Sequence, residues 1–510
     1  MLKSIKSTSS VVKTAIVGTL APLLVATCMA ATQPNVLILY ADDLGYGDLN
    51  CYASESKIPT PNLDQLASEG MRFTDGHSSS GICTPSRYAL LTGRHHWRDF
   101  HGIVNAMGNS VFKSERLTFP EMMQEKGYHT AAIGKWHLGW GWNAIKKSNT
   151  PNGKTHFSSY DWSKSVPDGP LAHGFDYYFG DSVINFPPYA WIENDKLVQI
   201  PNTMLDTKLF KKIKEGSWEM RKGPMVEGWD PYENIPTTTA KGVEFIKQQA
   251  KEEKPFFLYF AYPSPHAPII PNDRFDGKSG VGSYGDLVVE TDDSVGQLLK
   301  ALKDSGQEQE TIVIFTADNG PENYAYARDA KFDHWSAAPL RGLKRDIYEG
   351  GHRVPFIIKY PGVAKAGSVS EALVSQIDLM ATVASVIGYR FPDKNAAEDS
   401  HDLLPVLKSP ESSVRSAHVH NTYKDAYAMR QGDWVLVAAK NGYHSKRDKA
   451  WEAKHGYSAD SASQYELYNI KEDLGQRHDL ANKYPEKVKT LQALLTQIQD
   501  QGYSAPRLAK

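Results

Sequence analysis

Four apolar runs along the chain each end in polar side chains. The runs are NVLILYADD (35–43), HTAAIGKWHLG (129–139), PFFLYFAYPSPHAP (255–268) and TIVIFTADNG (311–320). Because continuous apolar runs of this kind suit strands that are covered on both faces, they predict central strands of one sheet. The segments NLDQLASEG, FPEMMQEKG and ETDDSVGQLLKALKDSG lie between them and have helical patterns of apolar residues. The alternation predicts an α/β fold with a large, mostly parallel sheet sandwiched by helices.

Acidic, basic and amide side chains cluster where these predicted strands end. They are Asp42, Asp43, Lys135, His137, His266, Asp318 and Asn319. Ligands of open α/β sheets bind at the carboxyl ends of the strands. The pattern therefore predicts a functional site at this edge of the sheet.

The pattern changes after about residue 410. The runs SAHVHN, AYAMRQGDWVLVAA and QYELYNI, followed by KVKTLQALLTQIQD, predict a small antiparallel sheet and one helix. Residues 390–412 are rich in Asp, Ser and Pro and are interpreted as the connection. The predicted organisation is a signal peptide (1–30), a catalytic α/β domain (31–410) and a C-terminal α+β subdomain (411–510).

The first 30 residues have the pattern of a secretory signal peptide. Three lysines (Lys3, Lys6 and Lys13) precede the apolar run TAIVGTLAPLLVAT, and small residues follow it. The run is shorter than the roughly 20 residues that cross a bilayer, and no later segment approaches that length. A lipoprotein anchored through Cys28 is the alternative, although Thr27 is a poor residue before a lipidated cysteine. We expect an exported protein, periplasmic or secreted, with no membrane span.

Charge and cysteine content narrow the function classes further. The chain has 57 Lys plus Arg against 59 Asp plus Glu, a net charge of −2, and loss of the leader makes it more acidic. Non-specific nucleic-acid binding is therefore disfavoured. Of three cysteines, only Cys51 and Cys83 remain after export, which rules out a disulfide framework. A single bridge, two buried thiols, or a Cys83 kept for chemistry all stay open.

The segment CTPSRYALLTG (83–93) has a proline near the start of a predicted helix. Cys83 would then lie at the positive N-terminus of that helix, where an anion is stabilised. The segment resembles the signature C-x-P-S-R-x-x-x-L-T-G of the type I sulfatases, in the alkaline phosphatase superfamily. The resemblance runs from NVLILYADDLGYGDL through LRGLKRDIYEGGHRVP to YELYNIKEDLGQRHDL. It implies that a maturation enzyme oxidises Cys83 to formylglycine.

The chemistry of sulfate ester cleavage explains why an aldehyde would be needed at position 83. Attack at sulfur needs a nucleophile, a way to tolerate the negative sulfuryl oxygens, and an acid for the departing alcohol. A hydrated aldehyde supplies two hydroxyls. One attacks sulfur, and the other can lose its proton so that sulfate is expelled and the aldehyde returns. An unmodified thiol could not close that cycle.

Two strand ends supply hard oxygen donors for a metal. Asp42, Asp43, Asp318 and Asn319 suit Ca²⁺ or Mg²⁺ better than zinc. The family resemblance implies a single Ca²⁺ that also contacts Cys83 and the substrate sulfate. Acidic pairs that cap helices or line solvated turns are the alternative interpretation.

The resemblance also implies a role for each remaining residue of the site. Arg87 lies beside the aldehyde hydrate and the metal, and Lys135 contacts the sulfate. His137 is the base that deprotonates the hydroxyl of residue 83. His266 contacts the sulfate and is the acid for the leaving oxygen, and Lys344, in RGLK, lies on the sulfate or the bridging oxygen and shares that role.

Three segments have more open interpretations. RHHWRDFH (94–101) predicts either a sugar subsite through Trp97 and Arg98 or a surface loop. KLFKKIKEGSWEMRKG (208–223) is either a surface for a polyanionic chain or a solvated helix face. Residues 173–195 are similar to the region that shapes the substrate pocket in bacterial carbohydrate sulfatases.

The predicted function is therefore an exported, formylglycine-dependent sulfatase that acts on a sulfated carbohydrate. One alternative is a phosphonate or phosphate monoester hydrolase of the same superfamily. Another is a non-catalytic binder of sulfated glycans, which would apply if Cys83 stayed a thiol. Sulfated galactans and glycosaminoglycan fragments both remain open as substrates.

Overall fold

A ten-stranded mixed sheet forms the centre of the unit Gln33–Lys510. The computed structural model describes residues 33–148, 156–209, 214–215, 218–392, 395–440, 442–457 and 463–506, together with 1, 4 and 7–10. The strands are, in chain order, β1 (Asn35–Asp42), β2 (Met71–Phe73), β3 (Gly76–His77), β4 (His129–Lys135), β5 (Tyr177–Ser182), β6 (Ile192–Glu193), β7 (Lys196–Leu197), β8 (Thr203–Met204), β9 (Pro224–Met225), β10 (Phe256–Pro265), β11 (Thr311–Ala317), β12 (Phe356–Lys359), β13 (Ser368–Ser370), β14 (Val374–Ser375), β15 (Ala417–Asn421), β16 (Tyr427–Gln431), β17 (Trp434–Ala438) and β18 (Tyr465–Asn469).

The strand order of the large sheet is β13-β2-β12-β11-β1-β10-β4-β5-β6-β7. The five strands from β11 to β5 run parallel, whereas β12 pairs antiparallel with β11 and β6 pairs antiparallel with β5. The four apolar runs of the sequence form β1, β4, β10 and β11, so the predicted central strands are confirmed. Val36 of β1 lies opposite Phe257 and Ile312, which places β1 between β10 and β11.

Helices cover both faces of this sheet, as predicted. The α-helices are α1 (Pro61–Glu69), α2 (Cys83–Thr92), α3 (Phe119–Glu125), α4 (Asn234–Gln249), α5 (Ser283–Asp304), α6 (Ala325–Phe332), α7 (Glu349–His352), α8 (Leu379–Ile387), α9 (Leu404–Lys408), α10 (Lys449–Lys454) and α11 (Pro485–Gln501). The 3₁₀ helices are Tyr46–Asp48, His96–Arg98, Trp142–Ile145, Phe157–Ser159, Pro170–His173, Thr207–Leu209, Pro231–Glu233, Asp273–Phe275, Glu308–Glu310 and Gln376–Asp378.

The two hydrophobic cores follow from the alternation of side chains along β1. Val36 and Ile38 point into a core that includes residues of α2, α3 and α8. Leu37 and Leu39 point into the opposite core, with residues of α1, α4 and α5. Because successive side chains of a strand point to opposite faces, a strand buried on both sides is apolar throughout. This is why the sequence pattern of β1 is continuous rather than alternating.

A second sheet of four antiparallel strands, in the order β15-β16-β17-β18, follows in the chain. Leu491, Leu495 and Ile498 of α11 pack on one face of it. Its other face packs against Ile347 and Tyr348, which precede α7. The predicted small antiparallel sheet with one helix is thus confirmed. The boundaries at residues 30/31 and 410/411 stay predictions.

The segment 390–412 is more than the plain connection that its composition suggested. It contains α9, and Asp399 within it is fully buried. Arg98 donates from Nη2 to Asp399 Oδ1 at 2.8 Å. Burial of a carboxylate is unfavourable unless a cation pairs with it, and Arg98 provides that cation for Asp399.

The predicted signal peptide lies outside the described residues, apart from residues 1, 4 and 7–10. In the part of the chain that the structure describes, no helix has the length and apolar character needed to cross a bilayer.

Candidate active site

The polar residues at the strand ends converge as the topology requires. Asp42 ends β1, and Asp318 follows β11, its parallel neighbour. Ligand atoms of Asp42, Asp43, Cys83 and Asp318 all lie within 4.8 Å of one another, and all four residues are buried. The edge of the sheet that the sequence predicted as the functional site therefore carries a dense acidic cluster.

A left-handed backbone at Asp43 brings both neighbouring aspartates into this cluster. Successive side chains of a regular strand point to opposite faces. Asp43 has φ of 64°, and the β1–β10 register shifts between Tyr40 and Asp42. Aspartate tolerates this left-handed conformation better than most residues. The strand thus ends so that the Asp42 and Asp43 carboxylates share one site.

Cys83 is the first residue of α2, where backbone N–H groups face the site. Its thiol donates to Asp42 Oδ1 at 3.5 Å. Burial, followed by the charge of Asp318, raises the pKa of this thiol. The unmodified side chain is therefore a protonated thiol at neutral pH, which is a weak nucleophile. Cys51 and Cys83 are both free, so the predicted alternative of a bridge between them is wrong.

Arg87 lies one helical turn after Cys83 and ties α2 to the end of β11. Its Nε and Nη2 donate to Asp318 Oδ2 at 3.0 and 2.7 Å. Its Nη1 donates to the Tyr259 hydroxyl at 3.3 Å. Burial opposes the charged form, but Asp318 and the other negative groups nearby, Asp42 among them, together hold the pKa of Arg87 well above its usual range.

Each of the two buried lysines of the site pairs with one aspartate of β1. Lys135 Nζ donates to Asp42 Oδ2, and Lys344 Nζ donates to Asp43 Oδ2 at 2.8 Å. Burial would raise the pKa of Asp42, but Lys135 together with the other cations around it, Arg87 among them, lowers it well below its usual range. Burial likewise disfavours the charged Lys344, yet Asp43 raises its pKa. Lys135 ends β4, whereas Lys344 lies between α6 and α7, outside the strands.

One ring nitrogen of His137 is hydrogen-bonded, and the other is unpaired. Its Nε2 donates to the Val104 carbonyl at 3.0 Å, which leaves a lone pair on Nδ1. That buried Nδ1 has no hydrogen-bond partner among the described residues. Burial, and then the charge of Lys135, lowers the pKa of His137 well below its usual range, so the ring is neutral.

His266 follows β10, which lies on the side of β1 opposite to β11 and Asp318, and it faces the same cluster. Its Nδ1 donates to the Ala267 carbonyl at 2.6 Å, and its Nε2 lies 3.8 Å from Asp43 Oδ2. Burial, followed by the nearby Lys344, lowers the pKa of His266. The residues predicted for the site are thus brought together, and the hydroxyl of Thr84, next to Cys83, donates to the His137 carbonyl at 2.8 Å.

Comparison with known proteins identifies this constellation. Residues 34–389 match the family model described as Sulfatase, and residues 343–501 match the model described as N-sulphoglucosamine sulphohydrolase, C-terminal. The chain belongs to the sulfatase family. It is therefore a sulfuric ester hydrolase, and the fold and family that its signature resembles are confirmed.

Relatives of this sulfatase cover nearly its whole length. The N-acetylgalactosamine-6-O-sulfatase of Bacteroides thetaiotaomicron is 30% identical, over 91% of this chain and 93% of its own. Human arylsulfatase A is 32% identical, over 92% of this chain and 89% of its own. A solved structure described under glycosaminoglycan metabolism by Bacteroides thetaiotaomicron is 28% identical, with a TM-score of 0.76 over 92% of this chain and 100% of its own.

Three residues that the sequence did not single out border the site of this sulfatase. Glu322 lies 3.9 Å from Lys344 Nζ and accepts from Arg345 Nη1 at 2.6 Å. Phe186 packs edge-on against His137, and Arg221 lies over the Phe186 ring at 3.9 Å. The position of Glu322, four residues after Asp318, was a usable signal. Phe186 and Arg221 come from residues 173–195 and 208–223, which the sequence analysis associated with a substrate pocket and with a polyanionic chain without singling out either residue.

Apart from Lys208 and Leu209, which end a 3₁₀ helix, the described residues of segment 208–223 are not helical. Lys214 Nζ donates to the Pro271 carbonyl at 3.0 Å and to Asp273 Oδ1 at 3.2 Å. Residues 210–213 and 216–217 lie outside the described part of the chain. The interpretation of the described part as a solvated helix face is therefore wrong, because Lys214 is held by groups of the protein.

Trp97 and Arg98 of this sulfatase form neither a sugar subsite nor a surface loop. Trp97 is buried in the core shared with β15–β18 and α11, and its ring lies edge-on to Tyr427. Arg98 stacks on Trp97 at 4.3 Å and is bound by Asp399. The cation–aromatic pair therefore joins the small sheet to the chain beyond α2, and both predicted alternatives are wrong.

Trp97→Ala should therefore lower stability and leave catalysis unchanged. Removal of a buried tryptophan costs about 3–5 kcal/mol of unfolding free energy. Denaturant unfolding should show that loss, while the KM for a sulfated oligosaccharide stays at the wild-type value well below the melting temperature. An increase in KM without a loss of stability would contradict the packing role.

Proposed function

We propose that this sulfatase removes sulfate esters from a sulfated carbohydrate, using formylglycine at position 83 and one Ca²⁺. The observation that carries the proposal is the set of buried oxygen donors from two adjacent strands gathered around Cys83 at the start of α2. The names of relatives that act on N-acetylgalactosamine 6-sulfate support a carbohydrate substrate.

The side chains of the site fit a hard cation. Asn319 Nδ2 donates to Asp43 Oδ1 at 2.7 Å, and the buried Asn319 Oδ1 has no hydrogen-bond partner among the described residues. Burial, and then the charge of Asp42, raises the pKa of Asp318 to about 7. A bound cation would give the Asn319 oxygen a partner and would reduce the repulsion between the Asp42 and Asp318 carboxylates. Asp42, Asp43, Asp318, Asn319 and residue 83 would hold Ca²⁺, which supplies positive charge to the sulfuryl oxygens.

The signature CTPSRYALLTG at residues 83–93 is the reason for the proposed modification, since an unmodified thiol could not close the catalytic cycle. Conversion of CH₂–SH to CHO adds the oxygen of water, releases hydrogen sulfide, and passes two electrons and two protons to an oxidant such as dioxygen at a maturation enzyme. The hydrated aldehyde supplies one hydroxyl to attack sulfur and a second whose deprotonation releases sulfate and restores the aldehyde. The side chains around it then only have to bind the sulfate and move protons.

Two histidines are suited to the two proton transfers. The unpaired Nδ1 of His137 accepts the proton of the second hydroxyl, because its Nε2 already donates to Val104. His266 acts as the acid in its imidazolium form, in which Nδ1 still donates to the Ala267 carbonyl and Nε2 gives its proton to the leaving alcohol oxygen; the Asp43 carboxylate, 3.8 Å from Nε2, favours that charged form. The protonated Lys344 beside Asp43 contacts the sulfate or bridging oxygen and stabilises negative charge there, as does Lys135 beside Asp42.

A panel of defined sulfated sugars tests the substrate class. It contains N-acetylgalactosamine 6-sulfate, positional isomers, carrageenan oligosaccharides and nitrophenyl sulfate, each measured with matured enzyme. Phosphate and phosphonate monoesters of the same alcohols form the matched arm. Faster turnover of a sulfated sugar than of its phosphate analogue is expected. The reverse order would favour a phosphonate or phosphate monoester hydrolase, and binding without turnover by matured enzyme would favour a glycan binder.

His266→Ala should lose much more kcat on a sulfated sugar than on nitrophenyl sulfate. A sugar alkoxide needs protonation as it leaves, whereas nitrophenolate departs unaided, and general-acid assistance is typically worth about 10²–10⁴-fold. Paired steady-state kinetics on the two substrates measures the difference.

Lys135→Ala is the control for this comparison, because it removes a sulfate contact common to both substrates and should cost a similar factor on each. Equal damage by His266→Ala on both substrates would mean that His266 chiefly binds sulfate. Lys344, whose Nζ lies on the other side of Asp43 Oδ2, would then be the acid.

Export is part of the same proposal. The lysines and apolar run of residues 1–30 have the pattern of a cleaved leader. The mass of the mature N-terminus from periplasmic and culture fractions of the native host tests it. A chain that keeps Met1 in the cytoplasm would refute export, and a lipidated N-terminal Cys28 would support the lipoprotein alternative.

A further inference from the structure

A group of buried histidines lies where the small sheet meets the end of the large one, among residues with no role in the proposed reaction. His77 ends β3, His352 ends α7, and His418 and His420 belong to β15. All four are at most 3% exposed. The His352 and His420 rings stack with their centroids 3.5 Å apart, and the His77 and His418 ring centroids are 5.7 Å apart.

The hydrogen bonds of His77 and His352 leave each ring with a lone pair on the nitrogen that faces the other ring. His77 Nε2 lies 2.8 Å from Asp75 Oδ1, and His352 Nε2 lies 3.2 Å from the Ile347 carbonyl. A carboxylate and a carbonyl only accept, so both Nε2 atoms carry the ring protons. The two Nδ1 atoms are nevertheless 3.0 Å apart. In neutral rings no hydrogen is left to join them, and a cation between them removes the repulsion.

We propose that His77 Nδ1, His352 Nδ1 and the Glu349 carboxylate bind a transition-metal dication of the zinc class, at a site separate from the catalytic cluster. The three ligand atoms lie within 4.8 Å of one another. A zinc ion about 2.1 Å from each Nδ1 would subtend an N–Zn–N angle of about 90° at the observed 3.0 Å, and the tetrahedral angle of about 109° needs the two nitrogens to separate to about 3.4 Å. All three residues are buried, and a fourth ligand would complete the tetrahedral site.

The groups behind the two rings are those that usually orient metal-binding histidines. A ligating histidine generally donates its other N–H to a carboxylate or a backbone carbonyl, which fixes the tautomer. Asp75 serves His77 in this way, and the Ile347 carbonyl serves His352. A buried histidine that binds no metal needs such acceptors as well, so the two facing Nδ1 atoms are the observation that carries the proposal.

The charges around the site favour zinc over calcium. Arg353 Nη1 lies 3.1 Å from Glu349 Oε2 and 3.2 Å from Asp75 Oδ1, and Arg430 Nη2 lies 2.9 Å from Asp75 Oδ2. Both carboxylates are thus already neutralised in part, and the free lone pairs belong to neutral imidazoles. Such nitrogen ligands suit zinc or copper, whereas calcium requires oxygen ligands.

The position of the site implies a structural role. His420, stacked on His352, has a buried Nδ1 without a partner among the described residues. The metal would fix β3 against α7, and the His352 ring, stacked on His420, connects that fixed pair to β15 of the small sheet. Because the ligands come from residues 77 and 352, binding also closes a long loop of the chain.

Metal content tests the proposal. Full-length protein is loaded with ZnCl₂ and dialysed against a buffer that contains Ca²⁺. The zinc that remains bound is then measured by elemental mass spectrometry. We expect about one zinc per chain in the wild type and in Asp318→Ala, whose catalytic oxygen ligands are incomplete, and a loss of that zinc in His77→Gln and His352→Gln. His401→Gln is the matched control, since His401 is buried and bonds the Val414 carbonyl away from this group.

Equal zinc content in the wild type, His77→Gln and His352→Gln, or a wild type without zinc, would overturn the proposal. If the histidine variants do not fold, a wild-type crystal grown with ZnCl₂ decides the question by anomalous scattering at the zinc edge. A peak about 2.1 Å from both Nδ1 atoms supports the site. No peak there would mean that a shared proton, not a metal, joins the two rings.

Discussion

Cys83→Ala should lower kcat by about 10⁴–10⁶-fold, the range typical for loss of an enzyme's nucleophile. Cys83 is fully buried at the start of α2 and donates to Asp42, so its side chain lies at the centre of the acidic cluster. Cys51→Ala is the matched control, because Cys51 is a free, half-buried thiol that packs beside the core of α1 and α5. Turnover of nitrophenyl sulfate should be unchanged in that variant.

Peptide mass spectrometry of the same active preparation separates modification from a simple role for the thiol. The peptide with residue 83 should be lighter by about 18 Da than its cysteine form, because CHO replaces CH₂SH. The peptide with Cys51 should carry an unmodified thiol. Active enzyme in which every Cys83 peptide carries a free thiol would disprove the formylglycine mechanism.

Removal of the metal should abolish turnover, and Ca²⁺ should restore it. Charge stabilisation by a bound cation contributes several kcal/mol to the transition state, which corresponds to about 10³-fold or more in rate. Asp318→Ala should behave like the chelated enzyme and should not be rescued by Ca²⁺. Asp318→Asn is the companion variant, since it keeps the side-chain volume beside the buried Arg87.

Asp292→Asn is the control for the loss of a buried aspartate. Asp292 is buried but binds the backbone at the start of α1, away from the cluster. The kcat and the Ca²⁺ requirement of the Asp292→Asn variant should match those of the wild type. Full turnover by a sample shown by elemental analysis to be metal-free would refute the calcium site.

The strands that carry the site were predictable because their signal is local. β1, β4, β10 and β11 are buried on both faces, so each appears in the sequence as an unbroken apolar run. The polar residues after them had to meet, since parallel strands end at one edge of the sheet. The signature at residues 83–93 added the chemistry, which spacing alone would not have supplied.

The short strands near one edge of the large sheet, and the packing between the two sheets, were not predictable in this way. β2 and β13 have only three residues each, too few for any periodicity. Trp97 and Arg98 had the composition of a sugar-binding pair, yet Asp399 and α11 cover them. Whether a cation beside an aromatic side chain meets a ligand or a buried carboxylate depends on a partner about 300 residues away in the chain.

The sequence by itself thus determined the family, the central sheet and the residues gathered at its edge, because each rests on local periodicity or a contiguous motif. Only the tertiary structure decided which nitrogen of His137 is free, that Cys51 and Cys83 are not bridged, and that Glu322 lies beside Lys344. It alone brought His77 against His352. These features depend on distances between residues remote in the chain, and such distances are set by the packing of whole elements rather than by local sequence.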